Sequence, residues 1–131
     1  MLNHVTDKLK NERGSTLIEF AAVLTILLSL TFAMVDFGRY VYANNVIRAA
    51  AQEGARVGLI DGTDDATIVE ATKGKLLTLD ATKATVVPTH NGSTVNVNVT
   101  YEFEFITPFI DAVAGGAIQL SGTASMLRFP A

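Results

Sequence analysis

The sequence predicts an α+β protein: a long N-terminal helix that spans a membrane in part, then a short helix and a three-stranded antiparallel sheet. Three observations predict it. An uncharged apolar run lies near the N-terminus, and helical periodicity continues beyond it, with no proline before Pro88. The apolar period then changes to two in the C-terminal half, as in strands with one buried face.

Length and composition set the limits. The 131 residues are room for one domain and one extra element. Hydrophobic residues make up 49% and charged residues 18%, with a mean hydropathy of +0.33, whereas a soluble domain carries about a quarter of its residues as charges. Cysteine is absent, which excludes a disulfide framework, a thiolate zinc site and a cysteine nucleophile. A net charge of −3 and a pI near 5.2 argue against a nucleic-acid partner.

The apolar excess is gathered in one place. Phe20 to Val35 reads FAAVLTILLSLTFAMV, sixteen residues without a charge, glycine or proline, closed by Glu19 and Asp36. Sixteen helical residues reach about 24 Å, slightly short of the roughly 30 Å hydrocarbon core of a bilayer. Extending the segment to about residues 17–37 nearly closes the gap but draws Glu19 into the apolar zone. A carboxylate at that depth is expensive and points to a partner; the alternative is an interfacial carboxylate near the headgroups. Lys8, Lys10 and Arg13 precede the run, and no basic excess follows it. The positive-inside rule leaves the N-terminus in the cytoplasm and the C-terminal domain outside. A cleaved secretory signal, a plain signal anchor and a buried soluble helix compete with this reading. The apolar stretch is long for a signal, and no good A-x-A site follows it.

From Asp36 to Ile60 the pattern is helical and amphipathic. Asn45, Arg48, Gln52 and Arg56 form a polar stripe, and Ala50, Gly54 and Gly58 form a small-residue ridge at steps of four. Small residues at that step admit a close backbone, either the protein's own sheet or a neighbouring helix. If unbroken from Ser15 to Ile60, the helix is about 69 Å long. Asp61-Gly62 reads as a turn, and Thr63 or Asp64 as the cap of the next helix. The cluster Asp61, Asp64, Asp65 lacks EF-hand spacing.

Ala66 to Leu77 reads as a modest amphipathic helix. Ala84 to Val87 reads as a short strand ended by Pro88, and Asn91-Gly92 as a hairpin turn. Thr94 to Phe105 alternates: Val95, Val97, Val99, Tyr101, Phe103 and Phe105 on one face, Asn96, Asn98, Thr100, Glu102 and Glu104 on the other. Phe109 to Ala114 reads as a helical turn and Ala117 to Phe129 as a final strand. The domains expected are a leader at 1–14, a long helix at 15–60 and a small α+β extracytoplasmic domain at 61–131.

One junction carries more. Arg13-Gly14-Ser15-Thr16-Leu17-Ile18-Glu19-Phe20 joins a basic leader to Gly, four uncharged residues, Glu, an aromatic and the apolar run. This resembles the cleavage site of type IV prepilins and pseudopilins. Three stretches narrow the resemblance to the TadE-like family of tight-adherence, Flp-type pilus systems: Arg13 to Phe20, Asp36 to Arg56 and Val99 to Arg128. Within them Glu53-Gly54-Ala55-Arg56 and the Ser-Gly-Thr-Ala-Ser before Met126 are the most family-like.

The resemblance implies a type IV pilin-like fold and a pseudopilin or minor pilin taking part in pilus assembly for surface attachment or secretion. Processing by a prepilin peptidase would cut between Gly14 and Ser15, with Glu19 and Phe20 as the recognition and assembly residues. A neighbouring subunit's new ammonium would then offset the Glu19 charge. The partners implied are the peptidase, other pilin and pseudopilin subunits, inner-membrane assembly proteins and membrane lipid. The place implied is the inner, cytoplasmic membrane, crossed once, or the pilus. Relatives often carry a proline in the first turns of the membrane helix, where this chain has Thr25, so its helix is expected to run straighter.

Catalytic chemistry is sparse. Removing the leader takes His4 and leaves His90 as the one histidine. Neither G-x-S-x-G nor a glycine-rich phosphate loop is present, so no enzyme activity, cofactor or metal is expected. Glu102 and Glu104 read as a solvated face. The rival function is an unprocessed, signal-anchored extracytoplasmic binding domain. The leader carries three basic and two acidic residues, a net +1; the remainder carries seven and eleven, a net −4.

Overall fold

The computed structural model describes residues 2–129, with side chains from Gly14 onward. The elements are helices α1 (Leu2–Val57) and α2 (Asp65–Gly74), a 3-10 turn (Ala81–Lys83), strands β1 (Ala84–Asn91) and β2 (Thr94–Phe103), helix α3 (Pro108–Ala114) and strand β3 (Ile118–Leu127). A long apolar helix, a short helix and a three-stranded antiparallel sheet make the α+β layout expected. The leader cations Lys8, Lys10 and Arg13, and His4, lie outside the described side chains. The chain divides into two compact units between Val35 and Asp36.

In the second unit the sheet runs β1-β2-β3, with β2 paired antiparallel to both neighbours. Val95, Val97, Val99, Tyr101 and Phe103 are all buried, so one face of β2 forms the core. Burying one such side chain contributes about 1.5–3 kcal/mol. Packed with them are Ala43, Val46, Ile47, Ala50, Ala51 and Ala55 of α1. The mostly small size of these α1 residues brings helix backbone close to sheet. A Cβ on Gly122 of β3 would lie 3.1 Å from both the Arg48 nitrogen and the Ile47 carbonyl carbon.

The ridge residues lie in this core. Ala50, Gly54 and Gly58 are buried. A Cβ on Gly54 would stand 2.1 Å from Thr72 Oγ1 of α2, and one on Gly58 2.7 Å from Val95 Cγ1 of β2. The polar stripe of Asn45, Arg48, Gln52 and Arg56 is exposed. The α1 helix stops at Val57, three residues before Ile60, where the Leu59 and Ile60 amides turn back more tightly onto the Arg56 and Val57 carbonyls at 3.3 and 3.1 Å. Arg128, just past β3, reaches the Gly58 carbonyl at 2.7 Å through Nη2 and Asp61 at 3.0 Å through Nη1. Gly62, with φ of 80°, completes the turn in a conformation costly for other residues.

Asp64 caps α2, its carboxylate accepting from the Thr67 amide at 3.1 Å and from the Thr67 hydroxyl. These bonds hold the Asp64 carboxyl below its ordinary range. The α2 helix ends at Gly74, short of Leu77, and Leu77 takes a φ of 58°.

The strands differ from the pattern at their ends. β1 passes through Pro88, which pairs with Val97. The missing N–H is tolerated because β1 is an edge strand. The two-residue hairpin loop is Gly92-Ser93, with Gly92 at φ of 61°, and Asn91 still pairs with Thr94. β2 stops at Phe103, so Glu104 leaves the strand face it was expected to share with Glu102. It forms an ion pair at 2.9 Å with Lys83, whose pKa that contact raises. His90 belongs to β1, which runs past the expected end at Val87, with Nε2 2.9 Å from Asp65 Oδ1.

Two glycines of α1 separate packing from propensity. Gly54→Ala is expected to lower stability by about 1–3 kcal/mol, because Thr72 is buried and its short side chain cannot move aside. Gly38, with no atom within 4 Å of a built Cβ, gives the opposite sign: Gly38→Ala is expected to gain up to about 1 kcal/mol from helix propensity. Urea unfolding of the full chain in detergent, followed by circular dichroism, measures both.

Candidate functional site

The first unit holds the junction residues that the sequence singles out, and the ridge of Ala50, Gly54 and Gly58 lies in the second. Among the described residues, one helix is long and apolar enough to cross a membrane, by length and composition, and none of its apolar window is buried within the chain. Phe20, Ile26 and Leu30 are each about three-fifths exposed. Such a surface requires an apolar medium or apolar partners.

The polar atoms of the run meet the same requirement. Thr25 Oγ1 donates to the Ala21 carbonyl at 2.8 Å, Ser29 Oγ to Thr25 at 2.7 Å, and Thr31 Oγ1 to Leu27 at 2.9 Å. Every hydroxyl between Phe20 and Val35 is therefore satisfied inside the helix, as a water-free medium demands.

Glu19 is the one charged residue from Gly14 to Val35. It is exposed, and among the described residues it has no ion-pair partner. Gly14, Ser15 and Phe20 are exposed as well, and a side chain added at Gly14 would meet nothing within 4 Å among the described residues. All four lie on α1.

Just past the run stands a residue that sequence reasoning treated only as its closing charge. Asp36 opens the second unit and its side chain is 2% exposed. One carboxylate oxygen accepts from the Ile106 amide at 3.0 Å and from Arg39 Nη1 at 2.9 Å. The other accepts from the Thr107 amide at 2.8 Å and the Thr107 hydroxyl at 2.7 Å. A buried charge is tolerated when it is paired and its lone pairs are filled, and both conditions hold here.

Arg39 also donates to the Glu104 carbonyl at 3.2 Å and lies 5.1 Å from the centre of the Phe103 ring, in cation–π range. Tyr40 and Phe105 meet the Phe103 ring edge-on at 6.1 and 5.3 Å. Beside this cluster Tyr42, Thr78, Lys83 and Glu104 line a cavity of about 310 Å³. Within it Lys83 and Glu104 form an ion pair at 2.9 Å, and the Tyr42 and Thr78 hydroxyls lie 2.9 Å apart. Among the described residues no cluster of histidine and carboxylates could hold a metal.

Residues 14–56 match the protein family described as TadE-like protein. The match places that segment, about a third of the chain, in the family that the sequence resembles. It takes in Gly14, Glu19, the apolar run, Asp36 and the helix face that packs on the sheet. The stretch Val99 to Arg128 lies outside it. No curated protein and no solved structure gives a match.

The Asp36 geometry makes an ordered prediction. Asp36→Ala is expected to cost about 3 kcal/mol or more, because it strands two backbone donors and a hydroxyl at about 1–3 kcal/mol each when buried. Thr107→Val removes one hydroxyl bond and is expected to cost about 1 kcal/mol. Urea midpoints give the order, and hydrogen exchange at the Ile106 and Thr107 amides should accelerate in Asp36→Ala.

Proposed function

We propose that the chain is a pilin-like subunit of a tight-adherence pilus system, a structural rather than catalytic protein, held in the cytoplasmic membrane by its N-terminal helix. The observation that carries this reading is the segment from Gly14 to Val35. It is largely apolar, uncovered by its own chain, internally satisfied in the hydroxyls of its run from Phe20 to Val35, and matched to the TadE-like family.

In this reading a prepilin peptidase cuts between Gly14 and Ser15, and the leader stays in the cytoplasm. The helix at about 17–37 crosses the bilayer once, and the sheet domain stands outside. Glu19 then meets the new N-terminal ammonium of a neighbouring pilin-like subunit, so each charge offsets the other in an apolar assembly. The exposed side chains of Phe20 and its neighbours supply the apolar contact between subunits, and assembly serves surface attachment or secretion.

The intact mass of protein from the native host tests the processing step. The expected mass is that of a chain beginning at Ser15; a mass retaining the leader refutes cleavage there. Glu19→Ala is expected to be processed yet to yield few or no pili by electron microscopy. Pili at normal number in that variant would rule out charge pairing.

A further inference from the structure

The segment Phe105 to Ile118 joins β2 to β3 and contains α3. It carries a single charge, Asp111. Phe105 and Ile118 at its ends pack against the core, while three apolar side chains between them face outward: Ile106 is 54% exposed, Phe109 69% and Val113 89%, and no residue of α3 is buried. Phe109 and Val113 stand four residues apart on one helix face. Such a surface on an exported domain needs a covering partner.

Its place in the fold identifies the partner. The Asp36 carboxylate holds the Ile106 amide at 3.0 Å and the Thr107 amide at 2.8 Å. Asp36 is bonded to Val35, the last residue of the apolar run. A bilayer that contains the run to Val35 has its interface at Asp36, so Ile106 and Thr107 sit at headgroup level whatever the tilt of the domain. Phe37, 69% exposed, lies at the same level. Other exposed apolar residues of the unit, such as Leu77 and Phe129, have no bond that ties them to the end of the run.

We propose that Ile106, Phe109 and Val113 form a second membrane contact, with α3 lying in the headgroup–acyl boundary of the bilayer that holds the N-terminal helix. This rests on the reading of α1 as a membrane anchor. The contact suits an interfacial segment: an apolar helix face, one acidic residue away from it, and aromatic side chains at the water boundary. It would give the domain two attachments to one membrane and restrict its rotation about the anchor.

The chain contains no cysteine, so one introduced thiol is a unique labelling site. Full-length Val113→Cys, Leu27→Cys and Ser125→Cys are each labelled with an environment-sensitive fluorophore and reconstituted into phosphatidylcholine–phosphatidylglycerol vesicles. Quenching is read with nitroxide lipids, shallow or deep, and with aqueous iodide. Leu27 reports the anchor, and Ser125, exposed on β3, reports the aqueous domain.

The shallow nitroxide is expected to quench the Val113 label about threefold more than the Ser125 label, as for a group about 5–10 Å into the boundary. The deep nitroxide should act mainly on Leu27. Phe109→Cys provides a second site with the same expectation. Iodide quenching at Val113 equal to that at Ser125, with Leu27 still lipid-quenched, overturns the inference and leaves the anchor standing. A Leu27 label untouched by lipid overturns both. A Val113 label shielded from iodide and lipid alike, with self-quenching that grows with protein density, assigns the face to a second copy and overturns the lipid contact.

Discussion

The packing of α1 against the sheet is the contact on which the domain depends. Helix backbone approaches strand backbone at Gly122, where the Arg48 nitrogen would lie 3.1 Å from an added Cβ. That approach holds position 122 to glycine, with the buried Ile47 side chain 3.2 Å from the same point. Along the buried part of α1, Gly54 and Gly58 are held small by Thr72 of α2 and Val95 of β2, and Ala43, Ala50, Ala51 and Ala55 pack with Val46 and Ile47 in the same core. With no cysteine in the chain, these contacts and the hydrogen bonds around them hold the domain together without any covalent cross-link.

Two charged residues secure this arrangement at opposite ends of the helical segment. Asp36 gathers the loop after β2, and Arg128 gathers the carbonyls where α1 ends. Each joins residues about 70 positions apart. Each also settles groups that burial would otherwise leave unsatisfied, the amides of Ile106 and Thr107 in one case and the Gly58 carbonyl in the other. The same helix is thus asked for two incompatible surfaces: apolar and uncovered through Val35, small and covered from Ala43 onward. The change occurs at Asp36, the first side chain after the run that is buried and bonded.

Legibility followed the range of the interaction. The apolar run, the polar stripe and the alternation of Val95 to Phe103 could be read directly, because period and charge are local properties. The strand ends could not. Pro88 reads locally as a stop, yet β1 continues through it because its position at the sheet edge removes the need for an N–H. Glu104 reads as part of an alternating strand, yet it lies past the end of β2, where its side chain pairs with Lys83 and its carbonyl accepts from Arg39. At the candidate site Gly14, Ser15, Glu19 and Phe20 were singled out by the resemblance of their junction, with its basic leader and apolar run, to prepilin cleavage sites. The sequence had no means of joining Asp36 to Thr107, since nothing near either residue marks the other.

By itself, then, the sequence determined the order and kind of the elements and the concentration of apolar character near the N-terminus. Both follow from residues within a few turns of one another. Only the tertiary structure decided which α1 face the sheet covers, where the helix ends, and that Ile106 and Thr107 are fastened to the residue next to the apolar run. Those outcomes depend on backbone approach and on filling the hydrogen-bonding capacity of buried groups, constraints that exist only once distant segments meet.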